Sequence, residues 1–132
     1  TSERNILQHV PNITFVNGLE QEKFSFQMTL SEKLERKTYY EKQFRKITAK
    51  AAEEDYDLLF FDELIYTIRA GLFDEQILLD YLKKEKPEHL EVILTGQQPS
   101  DELVELADYV SEIRKIKHPF DQGLPARPGI EK

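Results

Sequence analysis

Apolar residues change their spacing several times along this chain, and each change marks an element. Asn12 to Val16 (NITFV) is rich in β-formers and stops at Asn17-Gly18, a turn pair, so a strand is predicted there. Glu22 to Met28 is polar and aromatic with no helical period. Ser31 is then placed to cap a long helix to about Glu54, because Tyr40, Phe44, Ile47 and Ala51 recur at helical spacing. Leu58 to Phe61 is a continuous apolar run, the pattern of a parallel strand covered on both faces. Asp74 caps a second predicted helix through about Lys84, burying Ile77, Leu78, Tyr81 and Leu82, with Pro87 just beyond its end. Leu90 to Leu94 reads as the next strand and closes on Thr95-Gly96; Ser100 caps a short helix carrying Leu103, Val104 and Leu106. A last strand is predicted from about Tyr109 to Ile116, ahead of His118-Pro119-Phe120-Asp121 and a Pro/Gly-rich tail.

Strands alternating with helices through short links predict an α/β domain with a mainly parallel sheet, spanning 1–132 as one unit without internal repeats. Ligands of such sheets bind beyond the carboxyl ends of the strands. Asp62-Glu63, Thr95-Gly96 and Lys117-His118 all fall at predicted strand ends, so three strands aim chemistry at one rim.

Composition narrows the classes. With 33% charged, 39% hydrophobic and 11% aromatic residues, the chain has the make-up of a soluble globular domain. A net charge of −7 argues against broad binding to nucleic acid or an anionic membrane, though not against one cationic pocket. The absence of cysteine removes disulfides, thiolate metal sites and a cysteine nucleophile, and suits the cytoplasm. No apolar run approaches membrane-spanning length.

Each candidate residue has two readings. Asp62 and Glu63 either cap the helix that follows or serve a divalent cation, one orienting it through its hydration shell and the other ligating it or positioning a nucleophile. Phe24 and Phe26 are either a buried strand face or an apolar lid over a flat ligand. His118 has no second His or Cys at metal-ligand spacing, so a loop-holding role competes with a chemical one. Lys115, Lys117 and Arg127 line an anionic pocket or are ordinary surface charge. Sheet proteins that bind nucleoside triphosphates also carry a loop of the form G-x-x-x-x-G-K-[ST]. None of the five glycines here is followed by Lys, so the metal half of a phosphate site has no phosphate cradle beside it.

Five stretches follow one another in a telling order: Leu58-Leu59-Phe60-Phe61-Asp62-Glu63-Leu64-x-Tyr66; Val92-Ile93-Leu94-Thr95-Gly96; Ala107-Asp108-x-Val110-Ser111-Glu112-Ile113; Lys117-His118-Pro119-Phe120-Asp121-x-Gly123; and Ala126-Arg127-x-Gly129-Ile130-Glu131. Together with Glu3-Arg4-Asn5-Ile6-Leu7, the series resembles the P-loop-type ATP:corrinoid adenosyltransferases over nearly the whole chain. The resemblance implies a three-layer sandwich like that of P-loop nucleotide hydrolases, in a cytoplasmic homodimer. It implies transfer of the 5′-deoxyadenosyl group of ATP to the Co(I) of cobalamin or a precursor corrinoid, with Mg²⁺ on the triphosphate. Co(I) is itself the nucleophile, so no catalytic nucleophile is sought in the protein. Glu63 would ligate the metal with Asp62 in support, and Phe24 and Phe26 would cover the corrinoid. Gly96, Gln97, Lys117, His118 and Arg127 would contact the substrates.

Two departures accompany the resemblance. The family's first strand, phosphate loop, first helix and second strand have no counterpart in this chain, which opens at Thr1 without an initiator Met. The family's Thr-Gly-Arg reads Thr95-Gly96-Gln97, and a neutral amide cannot replace a bidentate guanidinium on phosphate. The chain is therefore expected to be inactive as written, its Leu58–Phe61 strand left with an unpaired edge. A part of a longer enzyme is the favoured account; a truncated homologue or a non-catalytic corrinoid-binding or protein-interaction domain are the others. A generic nucleotide hydrolase is disfavoured for want of the phosphate-loop lysine.

Overall fold

The structure, a computed structural model, describes residues 3–18 and 25–130. They fall into two compact units, Thr1–Leu19 with Tyr109–Lys132, and Glu20–Asp108.

The second unit is built on α2 (Leu30–Glu53). Its start is set by a reciprocal cap at Thr29, not at Ser31. Thr29 Oγ1 accepts from Glu32 N (3.2 Å), and Glu32 Oε2 accepts from Thr29 N (2.7 Å). Ser31 loses to Thr29 because a capping box needs an acidic residue three positions on; Thr29 has Glu32, and Ser31 has Leu34. The helix buries Phe44, Thr48 and Ala51 on one face. Strand β1 (Leu58–Phe61) follows, and β2 (Glu91–Leu94) pairs with it in parallel, Leu58 opposite Glu91 and Phe61 opposite Leu94. Between them lie α3 (Leu64–Arg69), α4 (Glu75–Asp80) and a π-turn over Tyr81–Glu85; α5 (Asp101–Leu106) comes after β2.

The predicted caps at Asp74 and Ser100 are present, and each also ties its helix to a neighbour. Asp74 Oδ1 accepts from Gln76 N (3.0 Å) while Asp74 N donates to Glu41 of α2 (3.2 Å). Ser100 Oγ accepts from Leu103 N (3.1 Å) and donates to Glu75 of α4 (2.7 Å). Phe44 stands at the centre of the core, its ring centroid 5.2 Å from that of Phe61, 5.1 Å from Phe73 and 5.4 Å from Tyr81. Leu64, Leu78, Leu79 and Leu103 complete the buried cluster.

Phe61, Val92 and Leu94 pack against that cluster from the inner face of the sheet. The outer face is open: Leu58, Phe60 and Ile93 are exposed, Phe60 by 57%. The apolar run at Leu58–Phe61 predicted cover on both faces, and among the described residues only one face is covered. The unit is thus a mixed α/β arrangement around a small parallel sheet of two strands.

In the other unit, α1 (Glu3–Leu7) runs into hydrogen-bonded turns that end at a left-handed Asn12 (φ 65°), and a 3₁₀ turn covers Pro119–Gln122. Neither predicted strand, 12–16 or 109–116, forms. A strand needs a ladder partner, and among the described residues these segments have none; Ile113 is 99% exposed. No described helix is long and apolar enough to cross a membrane.

Tyr81 brings a polar atom into the core. Its hydroxyl is buried with no hydrogen-bond partner among the described residues, and burial pushes its pKa up. A buried unsatisfied hydroxyl costs about 1–3 kcal/mol, so Tyr81→Phe is expected to leave stability unchanged or raise it by up to about 1 kcal/mol. Urea unfolding of the two proteins measures this, and a loss above that size would show that the hydroxyl is bonded.

Candidate functional site at the strand ends

Asp62 and Glu63 leave the end of β1 exposed to solvent, and the backbone turns sharply there. Glu63 adopts the left-handed conformation (φ 56°, ψ 22°), which a residue with a Cβ rarely takes. It occupies the position before α3 at which a side chain would cap the helix, yet its carboxylate makes no capping bond. The orphan N–H of Ile65 goes instead to the carbonyl of Thr95 (3.2 Å). The Thr95 hydroxyl oxygen lies 2.9 Å from Glu63 N and 2.9 Å from Asp62 Oδ1. The capping reading of the acidic pair therefore fails for Glu63. Its backbone is tied down on both sides, since Thr67 N and Thr67 Oγ1 both donate to Glu63 O at 3.0 Å.

The strand-end loop after β2 lies flat on α3. Gly96 (φ 141°) passes so close that a Cβ would come within 2.7 Å of Ile65 Cβ and 2.8 Å of Tyr66 N. Gln97 is exposed, and Gln98 Oε1 accepts from Arg69 Nη2 at 2.8 Å. Arg69 is a cation beside this loop that pattern reading did not single out. Nothing short-range in the sequence pairs it with Gln98, which lies 29 positions away.

Phe26 sits on a 3₁₀ turn, Ser25–Gln27, with 77% of its surface exposed, so it is neither a strand residue nor part of the core. That turn reaches α3, with Ser25 Oγ 3.3 Å from the Tyr66 hydroxyl. Phe24 lies outside the described residues.

The tail belongs to the other unit and has its own geometry. Lys115 Nζ holds both oxygens of Asp121 (3.0 and 2.9 Å). His118 Nδ1 accepts from Phe120 N at 3.1 Å and caps the 3₁₀ turn, which Gly123 ends in a left-handed conformation. Lys117 and Arg127 are exposed.

Among the described residues no group of three or more His, Cys, Asp or Glu is placed to hold a metal. Two carboxylates at a strand end do not make a closed protein cage. They do match Mg²⁺, which keeps several waters and takes one or two carboxylates together with phosphate oxygens.

The model of the family described as ATP:corrinoid adenosyltransferase BtuR/CobO/CobP matches residues 1–131. The chain belongs to that family. Among similar proteins, the corrinoid adenosyltransferase of a Sinorhizobium species is 35% identical over 91 residues, covering 69% of this chain and 42% of that protein. Its Escherichia coli K12 counterpart is 36% identical over 80 residues, 61% of this chain and 40% of the relative. Corrinoid adenosyltransferase CobA of Salmonella typhimurium is 36% identical over 75 residues, 57% and 38%. The match spans about two-fifths of each corrinoid adenosyltransferase.

Gly96 offers a direct check on the corner. Gly96→Ala is expected to destabilise the fold by at least about 1–3 kcal/mol, the usual cost of one disfavoured backbone state, before the contact with Ile65 is counted. Urea unfolding of the variant measures it, and a change under about 0.5 kcal/mol would mean that the loop is not packed on α3 as described.

Proposed function

We propose that this chain is the metal-carboxylate part of an ATP:corrinoid adenosyltransferase, which moves the 5′-deoxyadenosyl group of ATP onto a Co(I) corrinoid, cobalamin or a precursor. The observation that carries this is the corner after β1, where a strained, exposed Glu63 takes no part in capping α3 and lies beside an oriented Asp62. Strain of this kind persists where the surrounding structure over-determines it, and it clusters at functional sites. In the reaction the cobalt electron pair forms the bond to C5′, the C5′–O bond breaks, and triphosphate leaves with that bonding pair. Mg²⁺, when bound, neutralises charge on the triphosphate. Glu63 would ligate it directly and Asp62 would support it, while Phe26, with Phe24, would shield the corrinoid face from water. Gly96 and Gln97 would border the triphosphate; Lys117, His118 and Arg127 enter as substrate contacts through the family resemblance alone.

A three-layer, P-loop-like sandwich belongs to the same reading. Leu58, Phe60 and Ile93 are the apolar surface that such a fold covers with its further layer, and the ladder edge of β1 away from β2 is the one its first strand pairs with. A single domain over 1–132 and a cytoplasmic homodimer complete it; the lack of cysteine is in keeping with that compartment.

The test uses the full-length gene product with Mg·ATP and chemically reduced cobalamin, following cobalt–carbon bond formation by absorbance. Glu63→Gln is expected to lower kcat about a hundredfold or more while leaving the fold intact, the scale on which single charge-stabilising groups act. Turnover within threefold of the parent would remove Glu63 from the site.

Gln97 favours the second reading, a corrinoid-binding or protein-interaction domain without catalysis, because it puts a neutral amide where the family carries arginine. Gln97→Arg adds one charge-assisted contact of about 1.5–3 kcal/mol and is expected to tighten Mg·ATP binding roughly tenfold to a hundredfold. Calorimetric titration measures this. Corrinoid binding with no cobalt–carbon bond formed, by parent and Gln97→Arg alike, would establish the second reading in place of the first.

A further inference from the structure

Thr95 ends β2, and every polar atom it owns is engaged with the corner between β1 and α3. Its N–H donates to Phe61 O (3.1 Å), and its carbonyl accepts from Ile65 N (3.2 Å). Its hydroxyl oxygen is 2.9 Å from Glu63 N and 2.9 Å from Asp62 Oδ1. Elementary chemistry places the proton. A backbone N–H can only donate, so the hydroxyl accepts from Glu63; a carboxylate oxygen only accepts, so the hydroxyl proton points to Asp62. One side chain thus orients the carboxylate of Asp62 and the main chain of Glu63 together.

We infer that Thr95 is a positioning residue for the acidic pair: its hydroxyl sets the direction of the Asp62 carboxylate and locks the left-handed backbone of Glu63, and so fixes where a divalent cation is held. The inference rests on reading Asp62 and Glu63 as metal carboxylates. Thr95 itself touches neither metal nor substrate. Its two main-chain bonds survive any substitution that keeps the fold, so the hydroxyl is the separable part. Thr95→Val removes the hydroxyl but keeps the branched shape; Thr95→Ser keeps the hydroxyl and loses a methyl group.

The experiment uses the full-length protein, with Mn²⁺ in the presence of ATP as a paramagnetic stand-in for Mg²⁺, titrated by electron paramagnetic resonance. Amide hydrogen exchange at Glu63 without metal is the second readout. Thr95→Val is expected to weaken Mn²⁺ binding by about tenfold to a hundredfold, the scale on which partners behind a metal's ligands act, and to speed exchange at Glu63. Thr95→Ser is expected to return both to within about threefold of the parent, a rescue that a role in packing alone would not produce. Where Thr95→Val does not fold, Thr95→Ala takes its place with the same expectations. Mn²⁺ affinity within twofold of the parent in the hydroxyl-free variant, with Glu63→Gln abolishing it, would overturn the role of Thr95 and leave the reading of the pair standing. Rescue by Thr95→Ser of thermal stability but not of Mn²⁺ affinity would overturn it as well. Unchanged Mn²⁺ affinity in Glu63→Gln itself would remove the reading of the pair and this inference with it.

Discussion

Everything at the strand ends depends on a parallel ladder only four residues long being held against one aromatic ring. Two short strands are marginal on their own, and pairing them in parallel also means ordering the whole of segment 62–90 between them. The inner face of the sheet offsets that cost. Phe61, Val92 and Leu94 pack on a cluster in which Phe44 meets a ring from β1, one from the turn before α4 and one from the π-turn. Phe44 can serve three elements because α2 is long and firmly started by the reciprocal Thr29–Glu32 cap, and Phe44, Thr48 and Ala51 at helical spacing make up the face that looks inward. Thr95 is thereby delivered beside Asp62 and Glu63, residues more than thirty positions earlier in the chain. Such proximity cannot be arranged locally.

Elements whose cause is local could be read from the chain. The strands at 58–61 and 91–94 stand where apolar runs meet turn signals, and Asp74 and Ser100 cap because their short side chains sit next to helical periodicity. Elements whose cause is a partner could not. Residues 12–16 and 109–116 have the composition of strands, but composition supplies no neighbour to complete a ladder. The π-turn at Tyr81–Glu85 marks a place where α4 departs from its own period, and no residue there is a helix breaker. Helix α3 is too short for its periodicity to stand out, at six residues.

The same division runs through the site. An acidic pair at the end of an apolar strand is visible in the sequence, and so is the Thr-Gly pair that closes the next strand. Whether Glu63 caps a helix or turns away from it is decided by its backbone angle and by a hydroxyl from another strand. The requirement for glycine at position 96 is equally long-range, because the obstructing atoms belong to Ile65 and Tyr66. For the tail, the Lys115–Asp121 pair forms within one loop, and Lys115 spends its charge there.

The corner and the missing arginine are physically separable, and this weighs between the two readings of the protein. Thr95 acts through its main chain and one hydroxyl, and Gly96 acts through its lack of a side chain, whereas Gln97 is exposed next to them. A change at position 97 therefore alters the charge beside the corner without removing any of the bonds that hold Asp62 and Glu63. The carboxylate of Glu63 contributes no cap to α3, and its backbone conformation costs stability that an unstrained glycine at that position would not. A domain kept only as a scaffold would gain from relaxing that residue. Asp55 is left-handed as well, so the conformation alone does not single out position 63; on the proposed reading, a cation held beyond the end of β1 is the reason for keeping a carboxylate there.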